Sequence, residues 1–270
     1  MLSYTEGYLT IEGVKIHYYR TGGARPPFLL LHGAADNGLC WTPTAEWLSD
    51  RYDVIMPDAQ GHGLSDRLDA DFSYQKLTDQ AVGLIKALGL KKPLIMGHSM
   101  GAGTVLNIAA GHPSIPGAVI WEDPAWYAPD TPPVSKEELA ERDAFWKHLA
   151  DLGKRPEAEI VASCRAQNPG WSEADIVSWS RAKLQFDPSL RDYELINPRT
   201  YVELVPQIKC PALLIIADGG IVTKSVAEHA ARLGKNLKWV EIKGADHFVR
   251  KERFAAFRQA LAAFLDTLPA

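Results

Sequence analysis

The stretch that most constrains this chain is Gly97-His98-Ser99-Met100-Gly101, because of what stands on either side of it. The apolar run Leu94–Met96 comes before it, and the small-residue run Ala102–Ala110 follows. This order predicts a strand, a sharp turn and a helix, with Ser99 at the apex of the turn. The flanking glycines fit a turn that has no room for side chains, and backbone strain at the apex lifts its hydroxyl clear of the sheet. We therefore predict that Ser99 is a nucleophile rather than a serine that only caps the helix.

A serine hydroxyl is a weak nucleophile and needs a base within hydrogen-bond reach. His247 is the candidate, because it lies far downstream of Ser99 in a loop between the last predicted strand and the last predicted helix. The oxyanion that forms during acyl transfer needs two backbone donors. Met100, next to the nucleophile, should supply one N–H group, and Ala34, directly after the His32-Gly33 turn, should supply the other.

The carboxylate that orients His247 has three candidates, between which the residues alone leave the choice open. Glu122 and Asp123 end one predicted strand, and neighbours in a strand face opposite sides, so only one of them can face the histidine. We prefer Glu122 for its longer reach. Asp218 also follows a strand, but Gly219-Gly220 stands where a longer acid-bearing loop is expected. A candidate that is not the triad acid would have a structural role: Asp123 would form a turn with Pro124, and Asp218 would cap the helix that follows it.

The order of the predicted elements indicates the fold. Strands alternate with helices after an antiparallel hairpin, which predicts a mostly parallel eight-stranded sheet with helices on both faces. The segment from Ala125 to Val205 lacks strand-like apolar runs and is polar, helical and rich in Trp and Pro. We therefore predict a core of residues 1–124 and 206–270 and an inserted helical cap of residues 125–205. Trp126 and Tyr127, directly after a strand edge, are the predicted substrate-binding residues of an apolar pocket.

Composition excludes several other classes of protein. The 270-residue chain has a net charge of −4 and no basic run, which argues against nucleic acid and anionic membranes as partners. Its three cysteines are scattered, so we expect neither disulfides nor a zinc site. We also expect a cytoplasmic location. No apolar run approaches the ~18 residues of a membrane span, and we expect no signal peptide in the first residues. The sequence is compatible with a homo-oligomer.

Four motifs together resemble the α/β-hydrolase superfamily over nearly the whole chain: the His32-Gly33 turn, the Asp58–Ser65 loop, the Gly97–Gly101 turn and the Gly244–His247 loop. The layout is similar to capped esterases and lactonases. This resemblance implies an enzyme without metal or organic cofactor that hydrolyses a small hydrophobic carboxylic ester or lactone through an acyl-enzyme. Haloalkane dehalogenases and epoxide hydrolases share the fold but use an aspartate nucleophile, which Ser99 argues against.

The resemblance extends to the acid and leaves other activities open. The position of Glu122 and Asp123 is similar to that of the acid in zearalenone-type lactone hydrolases, where it follows the strand before the cap. The same triad would also serve a C–C bond hydrolase or a cofactor-free perhydrolase or haloperoxidase. A ligand receptor on the same scaffold is a third alternative, against which the intact nucleophile, base and oxyanion turn argue.

Overall fold

The computed structural model describes residues 4–193 and 200–269 of the chain. Its eight strands are β1 (Thr5–Ile11), β2 (Val14–Arg20), β3 (Pro27–Leu31), β4 (Asp53–Pro57), β5 (Leu94–His98), β6 (Ala118–Glu122), β7 (Ala212–Ala217) and β8 (Leu237–Ile242). They form one sheet in the order β1-β2-β4-β3-β5-β6-β7-β8. Strand β2 is antiparallel to β1 and to β4, and the other pairs are parallel. The predicted mostly parallel sheet is confirmed.

Helices cover both faces of this sheet. Those in the described residues are α1 (Thr42–Leu48), α2 (Tyr74–Ala87), α3 (Met100–Gly111), α4 (Lys136–Leu152), α5 (Glu157–Gln167), α6 (Glu173–Gln185), α7 (Tyr201–Leu204), α8 (Lys224–Leu233), α9 (Val249–Glu252) and α10 (Phe254–Leu265). Alternate residues of the central strands enter different cores, because successive side chains of a strand point to opposite faces. Leu29 packs in the core that contains α2, α3 and α8, whereas Leu30 packs with α1 and α10.

Local capping explains where several helices begin. Ser135 and Glu138 form a capping box at the start of α4, and the Ser172 hydroxyl accepts the Asp175 N–H group at the start of α6. Asp187, and not Ser189, caps the 3₁₀ turn Pro188–Asp192. The Asp187 carboxylate begins that short 3₁₀ turn and accepts the N–H group of Ser189, since a carboxylate at this position satisfies a free backbone donor.

Part of the helical segment between β6 and β7 lies over the loops that follow β3 and β4. In this helical insertion, which we define as residues 136–193, the Lys183 ammonium donates to the carbonyl oxygen of Ala35 at 2.6 Å. The Asp187 N–H group donates to Gly61 O at 2.6 Å, and the Tyr193 hydroxyl donates to the carbonyl oxygen of Asp69 at 2.9 Å. The insertion therefore covers part of the edge formed by the carboxyl ends of the strands. Residues 194–199 of the predicted cap lie outside the described residues.

Helix length and composition also bear on membrane insertion. No helix within residues 4–193 and 200–269 has both the length and the apolar character that crossing a bilayer requires.

Candidate active site

The turn at Ser99 has the strained geometry that the sequence predicts. Ser99 has φ 51° and ψ −114°, and α3 begins at the next residue without a hydrogen bond from the Ser99 side chain. A Cβ atom on Gly97 would lie 2.4 Å from the backbone of Gly101, and one on Gly101 would lie 2.3 Å from the Leu31 carbonyl oxygen. Only glycine fits at both positions, because the backbone approaches itself so closely on either side of Ser99. This tight turn places Ser99 at its apex.

The His247 ring is oriented by a buried carboxylate. His247 Nδ1 lies 2.6 Å from Asp123 Oδ2, and the Asp123 side chain is fully buried. The carboxylate also accepts the N–H groups of Ile221 at 2.9 Å and Val222 at 3.1 Å. A carboxylate at this distance accepts a hydrogen bond from Nδ1–H. The lone pair of the neutral His247 ring is therefore on Nε2, the nitrogen that a general base would use.

His98, the last residue of β5, links the turn at Ser99 to the loop that carries His247. His98 Nε2 donates to the carbonyl oxygen of His247 at 2.9 Å, and the two rings lie 4.5 Å apart, measured between centroids. Burial holds the pKa of His98 well below its usual value, so this ring stays neutral. Among the described residues, no hydrogen bond joins the Ser99 hydroxyl to the His247 ring. In hydrolases without substrate such contacts often tighten only in the complex.

The structure corrects the preferred acid. Glu122 does not contact His247, because its carboxylate accepts the Arg250 N–H group at 2.8 Å and binds the Arg250 guanidinium at 2.7 Å. Both charged residues are in the interior, with Glu122 fully buried and Arg250 2% exposed. The longer side chain is directed to the opposite side from Asp123, as expected for neighbours at a strand end. The sequence did not signal this pairing, because Arg250 opens the charged run Arg250-Lys251-Glu252-Arg253, which looks like an exposed segment.

Asp218 is also not the partner of His247. It is exposed, and its carboxylate accepts the Gly244 N–H group at 2.7 Å. The glycines that follow it have a steric role: a Cβ atom on Gly220 would lie 2.6 Å from Asp123 Oδ1, and one on Gly219 would lie 2.0 Å from Asp246 Oδ1. The short glycine turn therefore leaves space for Asp123 beneath the histidine loop.

The turn after β3 presents a free backbone donor. The Ala35 N–H group donates to His62 Nε2 at 3.0 Å, and the Asp36 N–H group donates to Gly33 O at 3.2 Å. Within the described residues, the N–H groups of Ala34 and Met100 have no hydrogen-bond acceptor. Both residues contact the same apolar cluster, so the two predicted oxyanion donors lie in one region.

Two buried histidines hold this turn and stay neutral. His62 Nδ1 lies 3.0 Å from the Gln60 carbonyl oxygen, so it carries the hydrogen and leaves Nε2 to accept from Ala35. His32 Nε2 accepts the Ala59 N–H group at 3.0 Å. Burial lowers the pKa of His62 to about 3 and also lowers the pKa of His32. Protonation of either ring would remove the acceptor on which the turn depends.

We expect this neutrality to make the protein sensitive to acid. His62 has a pKa near 6.5 when unfolded and about 3 when folded, so between these values the unfolded state binds more protons. The free energy of unfolding should then fall by about 1.4 kcal/mol per pH unit for this one group as the pH is lowered. Urea unfolding of wild type and His62→Gln, measured from pH 7 to pH 4, should show a shallower decline in the variant. Equal declines would contradict the assignment.

The two predicted substrate-binding aromatics differ in position. Trp126 is 4% exposed and stacks on Tyr201, with ring centroids 5.3 Å apart, and its place in the substrate pocket stays a prediction. Its ring belongs to the core cluster that also holds Trp121, because a large aromatic side chain gains most by burial between other rings. Tyr127 is 47% exposed, and burial of its hydroxyl end and the nearby Asp123 charge raise its pKa.

An apolar cluster stands beside the two predicted oxyanion donors and includes residues of the helical insertion. Its members are Phe72, Tyr74, Leu77, Met100 and Leu190, with Ala34, Ala59, Leu68, Trp146 and Tyr193 packed against them. A carbonyl compound bound at Ser99 would therefore meet apolar side chains on this side. Within the described residues, no three His, Cys, Asp or Glu side chains are arranged to share a metal ion.

Comparison with known proteins agrees with this architecture. The 2-(acetamidomethylene)succinate hydrolase of Mesorhizobium japonicum is 26% identical, over 92% of this chain and 90% of that protein. The N-formylmaleamate deformylase of Pseudomonas putida is 25% identical over 96% of each chain. The crystal structure of the enol-lactonase from Burkholderia xenovorans LB400 superposes with a TM-score of 0.75 and 24% identity, covering 96% of this chain and 100% of that one. The model of the alpha/beta hydrolase family matches residues 28–260, and the chain therefore belongs to that family.

Proposed function

We propose that this protein is a serine hydrolase in which Ser99, His247 and Asp123 form the catalytic triad. The observation that carries the proposal is the 2.6 Å contact between His247 Nδ1 and the buried Asp123 carboxylate, beside the strained turn of Ser99. This arrangement supplies a nucleophile, a base and an orienting acid at the edge where ligands of such sheets bind.

The proposed reaction has two halves. His247 Nε2 takes the Ser99 proton while Oγ attacks the substrate carbonyl, and the Ala34 and Met100 N–H groups stabilise the oxyanion. The proton on Nε2 passes to the leaving alcohol, which departs and leaves an acyl group on Ser99. The same nitrogen then deprotonates a water molecule, which attacks the acyl group. The bond to Ser99 Oγ breaks as Oγ takes the proton back from Nε2, and the carboxylic acid leaves. Asp123 stabilises the imidazolium in both halves.

The apolar cluster beside the oxyanion donors favours a hydrophobic carboxylic ester or lactone. Tyr127, which is 47% exposed and lies near Asp123, is the proposed contact to substrate. We also propose that the helical insertion acts as a cap. Two relatives are named as a deformylase and as the hydrolase of an acetamido compound, so amide and formamide bonds belong in any substrate search.

A substrate panel tests this proposal. It should contain p-nitrophenyl esters of short and long acids, macrocyclic and small lactones, and N-formyl compounds, each assayed with wild type and Ser99→Ala. We expect Ser99-dependent hydrolysis that is fastest on an apolar ester or lactone. Absence of Ser99-dependent turnover, together with absence of labelling by a fluorophosphonate, would contradict the proposal and favour a ligand receptor. Faster cleavage of a C–C bond or perhydrolysis would retain the triad but replace the substrate class.

A further inference from the structure

One side chain of the helical insertion reaches the oxyanion turn. The Lys183 ammonium, from α6, donates to the Ala35 carbonyl oxygen at 2.6 Å and lies 3.5 Å from Asp36 Oδ1. The side chains of Lys183 and Asp36 are 2% and 1% exposed. A buried ammonium is costly unless it is bonded and paired, so this contact is a specific feature of the interface between insertion and turn.

Ala35, the residue to which Lys183 donates, has a strained backbone and is also packed by apolar residues of the helical insertion. Ala35 has φ 57°, in the left-handed region that residues other than glycine rarely adopt. Its N–H group is held by His62, and its methyl group is buried against three residues of the insertion, Leu149, Leu152 and Phe186. The insertion therefore contacts both the carbonyl group and the side chain of the residue next to Ala34.

We propose that Lys183 is a positioning residue for the oxyanion hole. By fixing the carbonyl group of Ala35, it holds the left-handed backbone of Ala35. Through this residue it orients the Ala34 N–H group, which lies two peptide units upstream, towards the developing oxyanion. The position of the helical insertion thereby affects how well the active site stabilises the oxyanion. This inference rests on the proposed function, because it requires that Ala34 be an oxyanion donor.

The charges around Asp36 allow the hydrogen bond from Lys183 to be tested separately from the charge of Lys183. Asp36 Oδ2 lies 3.5 Å from Lys251 Nζ and 3.7 Å from Arg250 Nη2, so two cations remain beside Asp36 when Lys183 is replaced. Lys251 is as buried as Lys183, and its Nζ has no hydrogen-bond partner in the described residues. Lys251→Met thus removes one cation from Asp36 without removing a hydrogen bond to the turn, which makes it the matched control for Lys183→Met.

The experiment compares Lys183→Met, Lys183→Arg and Lys251→Met with wild type on a p-nitrophenyl ester that wild type hydrolyses and Ser99→Ala does not. We expect kcat of Lys183→Met to fall roughly 10-fold, less than the loss of a whole oxyanion donor, with KM changed by less than about 2-fold. Affinity for a trifluoromethyl ketone, which forms an oxyanion on the serine, should fall in parallel with kcat/KM. Lys183→Arg should recover most of both, because its guanidinium can donate to Ala35. Lys251→Met should lower the melting temperature yet keep kcat and ketone affinity near wild type.

Three results would overturn the inference. Lys183→Met with wild-type kcat and ketone affinity would do so, and Ser99-dependent turnover in wild type would then leave the proposed function standing. Equal losses of kcat in Lys183→Met and Lys251→Met would show that only charge or stability matters. Absence of Ser99-dependent turnover in wild type would remove the proposed function and this inference together. If Lys183→Met does not fold, as judged by circular dichroism, Lys183→Gln takes its place with the opposite expectation: it removes the charge but keeps a donor for Ala35, so kcat and ketone affinity should stay near wild type, and loss of both would count against the inference in the same way.

Discussion

Replacement of Ser99 by alanine is expected to lower kcat/KM by at least about 10⁴-fold while leaving the fold intact. The hydroxyl is the attacking group in the proposed reaction, and the oxyanion donors alone cannot form the acyl-enzyme. Because the Ser99 side chain does not cap α3, its removal should shift the melting temperature by less than about 2 °C. Steady-state kinetics on a p-nitrophenyl ester and thermal melting of the same samples measure the two effects.

A matched serine shows whether the loss is specific. Ser225 is an exposed serine of α8, outside the proposed site, and Ser225→Ala should have wild-type kinetics. If Ser99→Ala retained more than about 1% of the wild-type kcat/KM with an unchanged substrate profile, Ser99 could not be the nucleophile, since loss of a serine nucleophile removes far more.

Replacement of Asp123 by asparagine should lower kcat by about 10⁴-fold at neutral pH. Asparagine has nearly the same shape as aspartate but presents an NH₂ group or a weaker acceptor to His247 Nδ1. It no longer selects the tautomer that leaves Nε2 free, and it no longer stabilises the imidazolium. Circular dichroism should show a folded variant, while pre-steady-state kinetics should show that acylation is the slowed step.

Glu122→Gln and Asp218→Asn complete the comparison of the three carboxylates. Glu122→Gln leaves Arg250 with a buried charge that lacks its main partner, so it should cost about 3–5 kcal/mol of stability. Its effect on kcat should be smaller than that of Asp123→Asn, provided that the assay temperature lies below the melting transition. Asp218→Asn should resemble wild type. A folded Glu122→Gln with a larger loss of kcat than Asp123→Asn would show that the triad is assigned incorrectly.

The sequence predicted those parts of the molecule that depend on local sterics and periodicity. Gly97 and Gly101 can be interpreted without a structure, because a strand followed by this spacing of glycines permits few backbone paths. The strands could be located because short apolar runs buried on both faces differ clearly from the spacing of the helices. Ser99 and His247 followed from the order of these elements.

The acid could not be chosen from the sequence, because the choice depends on one residue at the end of β6. Asp123 has φ 40°, a conformation that sequence does not indicate, and this turns its carboxylate towards His247. The competing Glu122 is occupied by Arg250, a contact between residues 128 positions apart. The stacking of Trp126 on Tyr201 could not be predicted for a similar reason, since Tyr201 lies beyond the insertion.

The most direct test of the triad is to find the acyl group on the nucleophile. Wild-type protein mixed with a p-nitrophenyl ester should release a burst of one p-nitrophenol per chain. Acid quench and mass spectrometry should then place one acyl group on the peptide that contains Gly97–Gly101, at Ser99. Asp123→Asn should form the same adduct more slowly. Steady turnover with the acyl group on another residue, or with no adduct under conditions that trap the burst, would contradict the mechanism.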